Sequence, residues 1–291
     1  MFKGSYVALV TPFDGDRVDE DALVQLIEWQ IEQGTDGIVP VGTTGESPTL
    51  SHHEHKRVVE ITVKTVAGRI PVIAGAGSNN TLEAIDFSQH AEKAGADALL
   101  HVAGYYNRPS QEGLFRHFEA VHNACNLPIF VYNIPSRCVV GVDIDTMVRL
   151  AELPRIVGVK DATTDLTRPG RERIRINKEF SWLSGEDATA VAYNASGGNG
   201  CISVTANIAP AHCTKMHKAC FDGDYQTALE FQDKLMPLHE ALFLEPSPAG
   251  AKYALSRLGK CADFCRLPVV PLGDETKSKI DDAMRSLTLI D

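Results

Sequence analysis

The chain has 291 residues, of which 44% are hydrophobic and 23% charged, with 23 glycines and 15 prolines. This is an ordinary globular composition and excludes disordered, collagen-like and disulfide-scaffold classes. Lys and Arg number 28 against 38 Asp and Glu, a formal charge of −10, so no basic field exists to hold nucleic acid or an anionic membrane.

The N-terminal stretch MFKGSYVALVTPFDGD lacks the apolar core and cleavage site of a signal peptide. Residues 188–214 carry no Asp, Glu, Lys or Arg, but Gly197, Gly198, Asn199, Gly200, Asn207 and Pro210 interrupt them, so no membrane-spanning helix is expected. Seven cysteines, an odd number without a pairing pattern, fit free thiols in a reducing cytoplasm.

Eight β-branched apolar runs recur along the chain: SYVALVT from Ser5, GIVPV from Gly37, PVIAGAG from Pro71, DALLHVA from Asp97, PIFVYN from Pro128, IVGVKDA from Ile156, SWLSG from Ser181 and GCISVT from Gly200. Their spacing is that of one strand, one crossover helix and two loops. Amphipathic segments lie between them. After Asp19, residues Leu23, Leu26, Ile27 and Ile31 share a face at helical spacing. Ser51 with Glu54, and Asn80 with Glu83, predict capping boxes at the next two helix starts. Strands that are apolar throughout predict a parallel sheet buried on both faces. Eight βα units favour a closed (β/α)8 TIM barrel over an open doubly wound sheet. Beyond Thr205 the strand signal stops, and helices are predicted, including 225–235 and 249–258. The expected division is a barrel domain over 1–222 and a C-terminal helical region over 223–291, either packed on the barrel or forming an oligomer surface.

In such a barrel the active site lies at the carboxyl ends of the strands, which selects Thr11, the GTTGE turn at 42–46, Tyr105, Tyr106, Tyr132, Asn133, Lys160, Asp161, Gly185, Glu186 and 202–205. Lys160 ends an otherwise apolar strand. Desolvation there disfavours the ammonium form, and a neutral amine attacks a keto group to form a Schiff base. The alternative is a lysine paired with Asp161 or Glu186 at the rim. Tyr132 ends the neighbouring strand, about 4.8 Å away, as either a proton shuttle or a packed phenol bonded to backbone. The GTTGE turn offers hydroxyls and backbone N–H groups to a carboxylate. It has no Walker lysine, and GAGSNN fails the dinucleotide fingerprint. His52, His53 and His55 lack the further ligands of a metal site.

GTTGES, YYNRPSQEG, YNIPSR, VGVKDAT and SGEDA, in that order, closely resemble the 4-hydroxy-tetrahydrodipicolinate synthase family, of the N-acetylneuraminate lyase and class I keto-acid aldolase superfamily. The resemblance runs nearly end to end. It implies a lyase that condenses pyruvate with L-aspartate 4-semialdehyde, in the first committed step of diaminopimelate and lysine biosynthesis, in a cytoplasmic homotetramer with no metal or organic cofactor. By the same resemblance Lys160 forms the pyruvate Schiff base. Tyr132, Thr43 and Tyr106 form the proton relay, with Tyr106 donated across a subunit contact, and Thr43 and Thr44 hold the pyruvate carboxylate. Arg137 grips the carboxylate of the semialdehyde, and Gly185 and Ile202 match substrate-pocket positions.

Ser47, His52, His55, Asn79, Glu83 and Tyr105 match a site at which L-lysine inhibits bacterial members, with Glu83 facing the effector's ammonium. The chain departs from the family pattern at Pro48, at Ala103-Gly104, at Asp161 where Glu is commoner, and at Ala249-Gly250 in EPSPAG. None of these removes a catalytic group. The rival readings are another pyruvate-dependent Schiff-base aldolase on the same scaffold and a non-catalytic keto-acid or lysine sensor.

Overall fold

In the computed structural model, which describes residues 2–291, the eight apolar runs form eight parallel strands. They are β1 Gly4–Ala8, β2 Gly37–Val39, β3 Ile73–Gly75, β4 Ala98–Val102, β5 Ile129–Asn133, β6 Ile156–Asp161, β7 Ser181–Ser184 and β8 Gly200–Ser203. Each strand pairs with its chain neighbour, and β8 returns to β1. Between β2 and the start of β3, Ile38 bridges Val72 in parallel and closes the ring. The (β/α)8 barrel expected from the spacing is the observed fold.

The helices of the outer layer are α1 Glu20–Glu32, α2 His52–Val66, α3 Thr81–Ala94, α4 Gln111–Ala124, α5 Pro135–Cys138, α6 Ile144–Ala151, α7 Arg168–Arg173, α8 Ala190–Ala195 and α9 Pro210–Phe221. Short polar side chains set several of their starts, satisfying N–H groups the helix itself leaves unpaired. Asp19 accepts from Ala22 N at 2.9 Å. Ser51 and Glu54 form the expected reciprocal box, with Ser51 Oγ accepting from Glu54 N at 3.2 Å and Ser51 N donating to Glu54 Oε2 at 2.8 Å.

The second expected box does not form. Asn80 caps Leu82 N at 3.1 Å, but its own N–H donates to Ser78 Oγ at 3.0 Å. With that donor occupied, Glu83 turns to the Ser78 hydroxyl and to His52 Nε2, 2.5 Å away.

Two apolar layers follow from strands that are buried on both faces. Tyr6, Ile73, Leu100, Phe130, Leu183 and Ile202 fill the barrel interior. Leu26, Ile27, Phe118, Val131 and Met147 join strands to helices outside it. Beyond the barrel, α10 Tyr225–Ala241, α11 Ala249–Arg257 and α12 Asp274–Ser286 pack together, α10 lying against α9 and α12. Lys252 of α11 is completely buried. Its Nζ pairs with Glu46 Oε1 at 2.5 Å, donates to Phe264 O at 2.9 Å and lies 4.0 Å from the centre of the Phe13 ring. One buried ion pair therefore ties the C-terminal helices to the GTTGE turn. No helix among the described residues is long and apolar enough to cross a membrane.

Several histidines are buried, three of them with rings held strongly toward the neutral form. Burial lowers His55 and His217 to about 4 and His101 to about 3. Near neutral pH these rings are uncharged in both folded and unfolded chains. As the pH falls below about 6.5, the unfolded chain takes up protons that the folded chain refuses, so stability declines toward acid by up to ~1.4 kcal/mol per ring per pH unit. Urea unfolding at a series of pH values should show the midpoint falling between pH 6.5 and 4.5. A His101→Gln variant should lose about one ring's share of that slope, and an unchanged slope in the variant would contradict the assignment.

Candidate active site

The parallel register of β5 and β6 places Tyr132 directly opposite Lys160. Both are nearly buried, and Lys160 Nζ lies 4.2 Å from the centre of the Tyr132 ring. Among the described residues no carboxylate comes within ion-pair distance of Nζ, and the Tyr132 hydroxyl has no protein hydrogen-bond partner. The two bland alternatives for these residues, a rim ion pair and a phenol bonded to backbone, are therefore not what the fold builds.

Alternation along β6 explains the first result, since successive side chains leave a strand on opposite faces. Asp161 points away from Lys160 into the helical layer. There its Oδ1 accepts from Thr163 N at 2.9 Å and Thr163 Oγ1 at 2.7 Å, and its Oδ2 faces Arg168 Nε at 3.8 Å. Burial pushes the Asp161 carboxyl up from its ordinary range, against the pull of the Thr163 hydrogen bonds and Arg168.

The Lys160 amine opens into a cavity of about 270 Å³ that is also lined by Thr43, Thr44, Tyr132, Arg137 and Gly185. The GTTGE turn brings the threonines there because it is bent tightly at both ends, with Val41 and Glu46 at φ of 48° and 55°. Gly45 is required within it, since a Cβ would sit 2.9 Å from Val41 N and 3.1 Å from Leu9 O. Thr11 Oγ1 donates to Gly45 O at 2.7 Å and braces the turn. Glu46 itself faces away from the cavity, toward Lys252 and toward Arg266 N, which donates to Oε2 at 3.0 Å. Arg137, on the single turn of α5, is exposed at the cavity wall and has no carboxylate partner among the described residues.

Gly185 N donates to Asp161 O at 2.7 Å, which holds the end of β7 against β6. A Cβ on Gly185 would lie 2.9 Å from Ala162 Cβ and 3.1 Å from Lys160 Cε. The missing side chain is the space that the lysine occupies. Ile202 lies deeper, in the barrel interior beneath the cavity, and does not line it.

Tyr106 is 90% exposed at φ 68° and does not reach the cavity within one chain. The cavity also takes residues that sequence reasoning did not single out: Ser136, Thr163 and Thr164 near the expected motifs, and Phe243 and Ser247 from the α10–α11 connection. Ser136 lies inside YNIPSR, Thr163 ends VGVKDAT and Thr164 follows it. Nothing in local periodicity directs Phe243 and Ser247 across the mouth.

The six residues of the expected effector site lie on one side of the barrel end, around the loops after β2, β3 and β4. His52 pairs with Glu83 as above, and His55 stacks on Phe87 with ring centres 3.9 Å apart while its Nε2 bonds Gly75 O at 2.9 Å. Asn79 Nδ2 donates to Tyr105 O at 3.3 Å. Ser47 closes the GTTGE turn, its N–H donating to Gly42 O at 3.3 Å. In this structure Glu83 thus already carries two partners. Among the described residues no three His, Cys, Asp or Glu side chains converge where a metal ion could sit.

A (β/α)8 barrel with an unpaired amine at its mouth defines the class, that of the imine-forming lyases. The family model described as the dihydrodipicolinate synthetase family matches residues 1–287, and the chain belongs to that family. It is 61% identical over 290 residues, covering 100% of both chains, to the 4-hydroxy-tetrahydrodipicolinate synthase of Parvibaculum lavamentivorans. The chloride-inhibited dihydrodipicolinate synthase of Acinetobacter baumannii complexed with pyruvate superposes with a TM-score of 0.97 at 43% identity, covering 100% of each chain. The lysine-bound enzyme of Cyanidioschyzon merolae gives 0.96 at 37% identity over 99% of each.

The contact between Gly185 and Lys160 gives a direct test. Gly185→Ala should displace the amine by a fraction of an ångström to an ångström and lower the rate of pyruvate-dependent turnover about 10- to 100-fold, with a stability loss of about 1–3 kcal/mol from the contact with Ala162. Turnover equal to that of the parent chain would show that the glycine leaves no needed space.

Proposed function

We propose that this chain condenses pyruvate with L-aspartate 4-semialdehyde through an imine on Lys160. The observation that carries this reading is the Lys160 amine facing a polar cavity beside Tyr132, with every nearby carboxylate engaged elsewhere or beyond ion-pair reach. A neutral Nζ attacks C2 of pyruvate, and Tyr132 delivers the proton with which the carbinolamine oxygen leaves as water. The protonated imine is the electron sink. It loses a C3 proton to become an enamine, which adds to the aldehyde carbon of the second substrate. The amino group of that substrate then displaces Lys160, and the product leaves cyclised.

Thr43 and Thr44 are assigned to the pyruvate carboxylate, which the N–H groups and hydroxyls of a tight turn suit. Arg137 is assigned to the carboxylate of the semialdehyde, because a guanidinium without a protein partner is free to bind it bidentately. Gly185 and Ile202 shape the pocket, the one beside Lys160 and the other beneath it. Tyr106 completes the relay from a neighbouring copy, a role supported by its exposure in the single chain and by the left-handed turn that holds it outward. A cytoplasmic homotetramer inhibited by L-lysine at Ser47, His52, His55, Asn79, Glu83 and Tyr105 accompanies this reading. The lysine-bound relative supports the last point. On this model the effector's ammonium displaces His52 from Glu83.

Borohydride reduction in the presence of pyruvate, followed by peptide mapping, should place the adduct on the peptide containing Lys160, and Lys160→Ala should abolish it. An adduct on another lysine would overturn the mechanism. For Arg137→Ala, loss of a charge-assisted hydrogen-bonded pair should lower kcat/KM for the semialdehyde about 10- to 100-fold, while pyruvate trapping is unchanged. A normal dependence on semialdehyde concentration in that variant would remove Arg137 from its role.

A further inference from the structure

The turn that offers Thr43 and Thr44 to the cavity is closed by its own backbone, with Glu46 N donating to Thr43 O at 3.1 Å and Ser47 N to Gly42 O at 3.3 Å. Glu46 is therefore bonded directly to one of the two threonines. It sits in the left-handed region at φ 55° and ψ 35°, a conformation that a residue with a Cβ keeps only where its surroundings enforce it.

What enforces it comes from the far end of the chain. The Glu46 side chain is buried, with Oε1 2.5 Å from Lys252 Nζ and Oε2 accepting from Arg266 N at 3.0 Å. Lys252 is fixed in turn by Phe264 O and by the Phe13 ring. The Arg266 guanidinium rests on the same ring, 4.4 Å from its centre, and donates to Thr49 O at 2.9 Å and Glu54 Oε2 at 3.0 Å, just beyond the turn. None of Glu46, Lys252 and Arg266 lines the cavity.

A buried ion pair is a poor source of stability, because apolar groups of similar volume serve as well or better. It does fix position, since each charge is stranded unless the other stays in place. The chain that carries Lys252 also reaches the cavity itself, through Ser247 in the loop leading into α11.

We propose that Lys252 and Glu46 are positioning residues for pyruvate: their buried pair holds the GTTGE turn where Thr43 and Thr44 receive the carboxylate, so that the C-terminal helices set affinity for the first substrate. This rests on the function proposed above and names what decides pyruvate capture there. The imine forms on Lys160, which a different strand carries, and the acceptor carboxylate is assigned to Arg137 on α5. Loss of the pair therefore weakens pyruvate binding and leaves the later chemistry in place.

The test uses the full chain and three variants: Glu46→Gln, Lys252→Met and the two combined. Borohydride trapping over a series of pyruvate concentrations, without acceptor, reads pyruvate capture alone. In each variant half-maximal trapping should need about 10-fold more pyruvate. The semialdehyde KM, and kcat at saturating pyruvate, should stay within about threefold of the parent. Each single variant strands one buried charge and should melt about 10 °C lower. The combined variant strands neither, so its melting temperature should return close to that of the parent while its pyruvate requirement stays raised. A merely structural pair would not produce that separation. The proposal is overturned if the combined variant regains the parent's pyruvate requirement together with its stability, or if kcat and both KM values worsen alike. Should the single variants fail to fold, the combined variant decides. If the parent chain traps no pyruvate, the function proposed above fails; if it traps pyruvate and the variants match it, only this inference fails.

Discussion

The structure depends on one geometric constraint: eight parallel strands close into a ring, so that all of them end at the same face. In a parallel pair, residues in register stand one strand spacing apart. Tyr132 and Lys160 are such a pair, and their side chains meet without any loop having to carry them there. A closed ring also has no edge strand to protect, which leaves the loops at the carboxyl end free to be specialised. The GTTGE turn, the single turn of α5 and the Gly185 connection all use that freedom.

Charge is sorted around the amine by the alternation of side chains. Inward positions on the strands are apolar or carry Lys160 and Tyr132, while Asp161 on β6, Glu172 on α7 and Asp187 after β7 turn outward and are satisfied there. Asp161 is held by Thr163 and Arg168, Glu172 by Arg168 at 2.7 Å, and Asp187 by the backbone after β8. Each of these carboxylates would be placed to pair with Lys160 if it faced the cavity. Its hydrogen-bond partners in the helical layer keep it outside. Gly185 contributes sterically what the carboxylates contribute electrostatically, leaving the lysine stem unobstructed.

The C-terminal helices are joined to this arrangement through buried polar contacts. Lys252 is completely buried against Glu46, and Arg266 donates to Glu46 and pairs with Glu54 at 2.5 Å. Breaking a buried pair by removing one partner strands the other charge and typically costs about 3–5 kcal/mol, so the turn that carries Thr43 and Thr44 and the helix that carries Lys252 are mechanically linked. The same region sends Phe243 and Ser247 to the cavity. On the other side, Ser47 terminates the same turn and Asn79 bonds Tyr105, the residue next to Tyr106.

Much of this was legible in the residues themselves. Regular spacing of apolar runs specified eight βα units, because a strand and its crossover helix have fixed lengths. Strand-end position then isolated Lys160, Tyr132, Thr43, Thr44 and Gly185, the family resemblance added Arg137, and the structure brings all six to one cavity. Local chemistry also predicted the Ser51–Glu54 box, since both partners lie within one turn. Where a residue had competing partners, local reading ran out: Asn80 and Glu83 satisfy the cap pattern, yet Ser78 nearby and His52 on the preceding helix take their hydrogen bonds. Tyr106 stands exposed away from the cavity of its own chain, and Ile202 lies in the barrel interior below the cavity. Only the tertiary structure could bury Lys252 on Glu46 and bring Glu186 into one cavity wall with Arg137 and Lys160. Those placements depend on which faces meet after the ring closes, and spacing along a chain does not encode them.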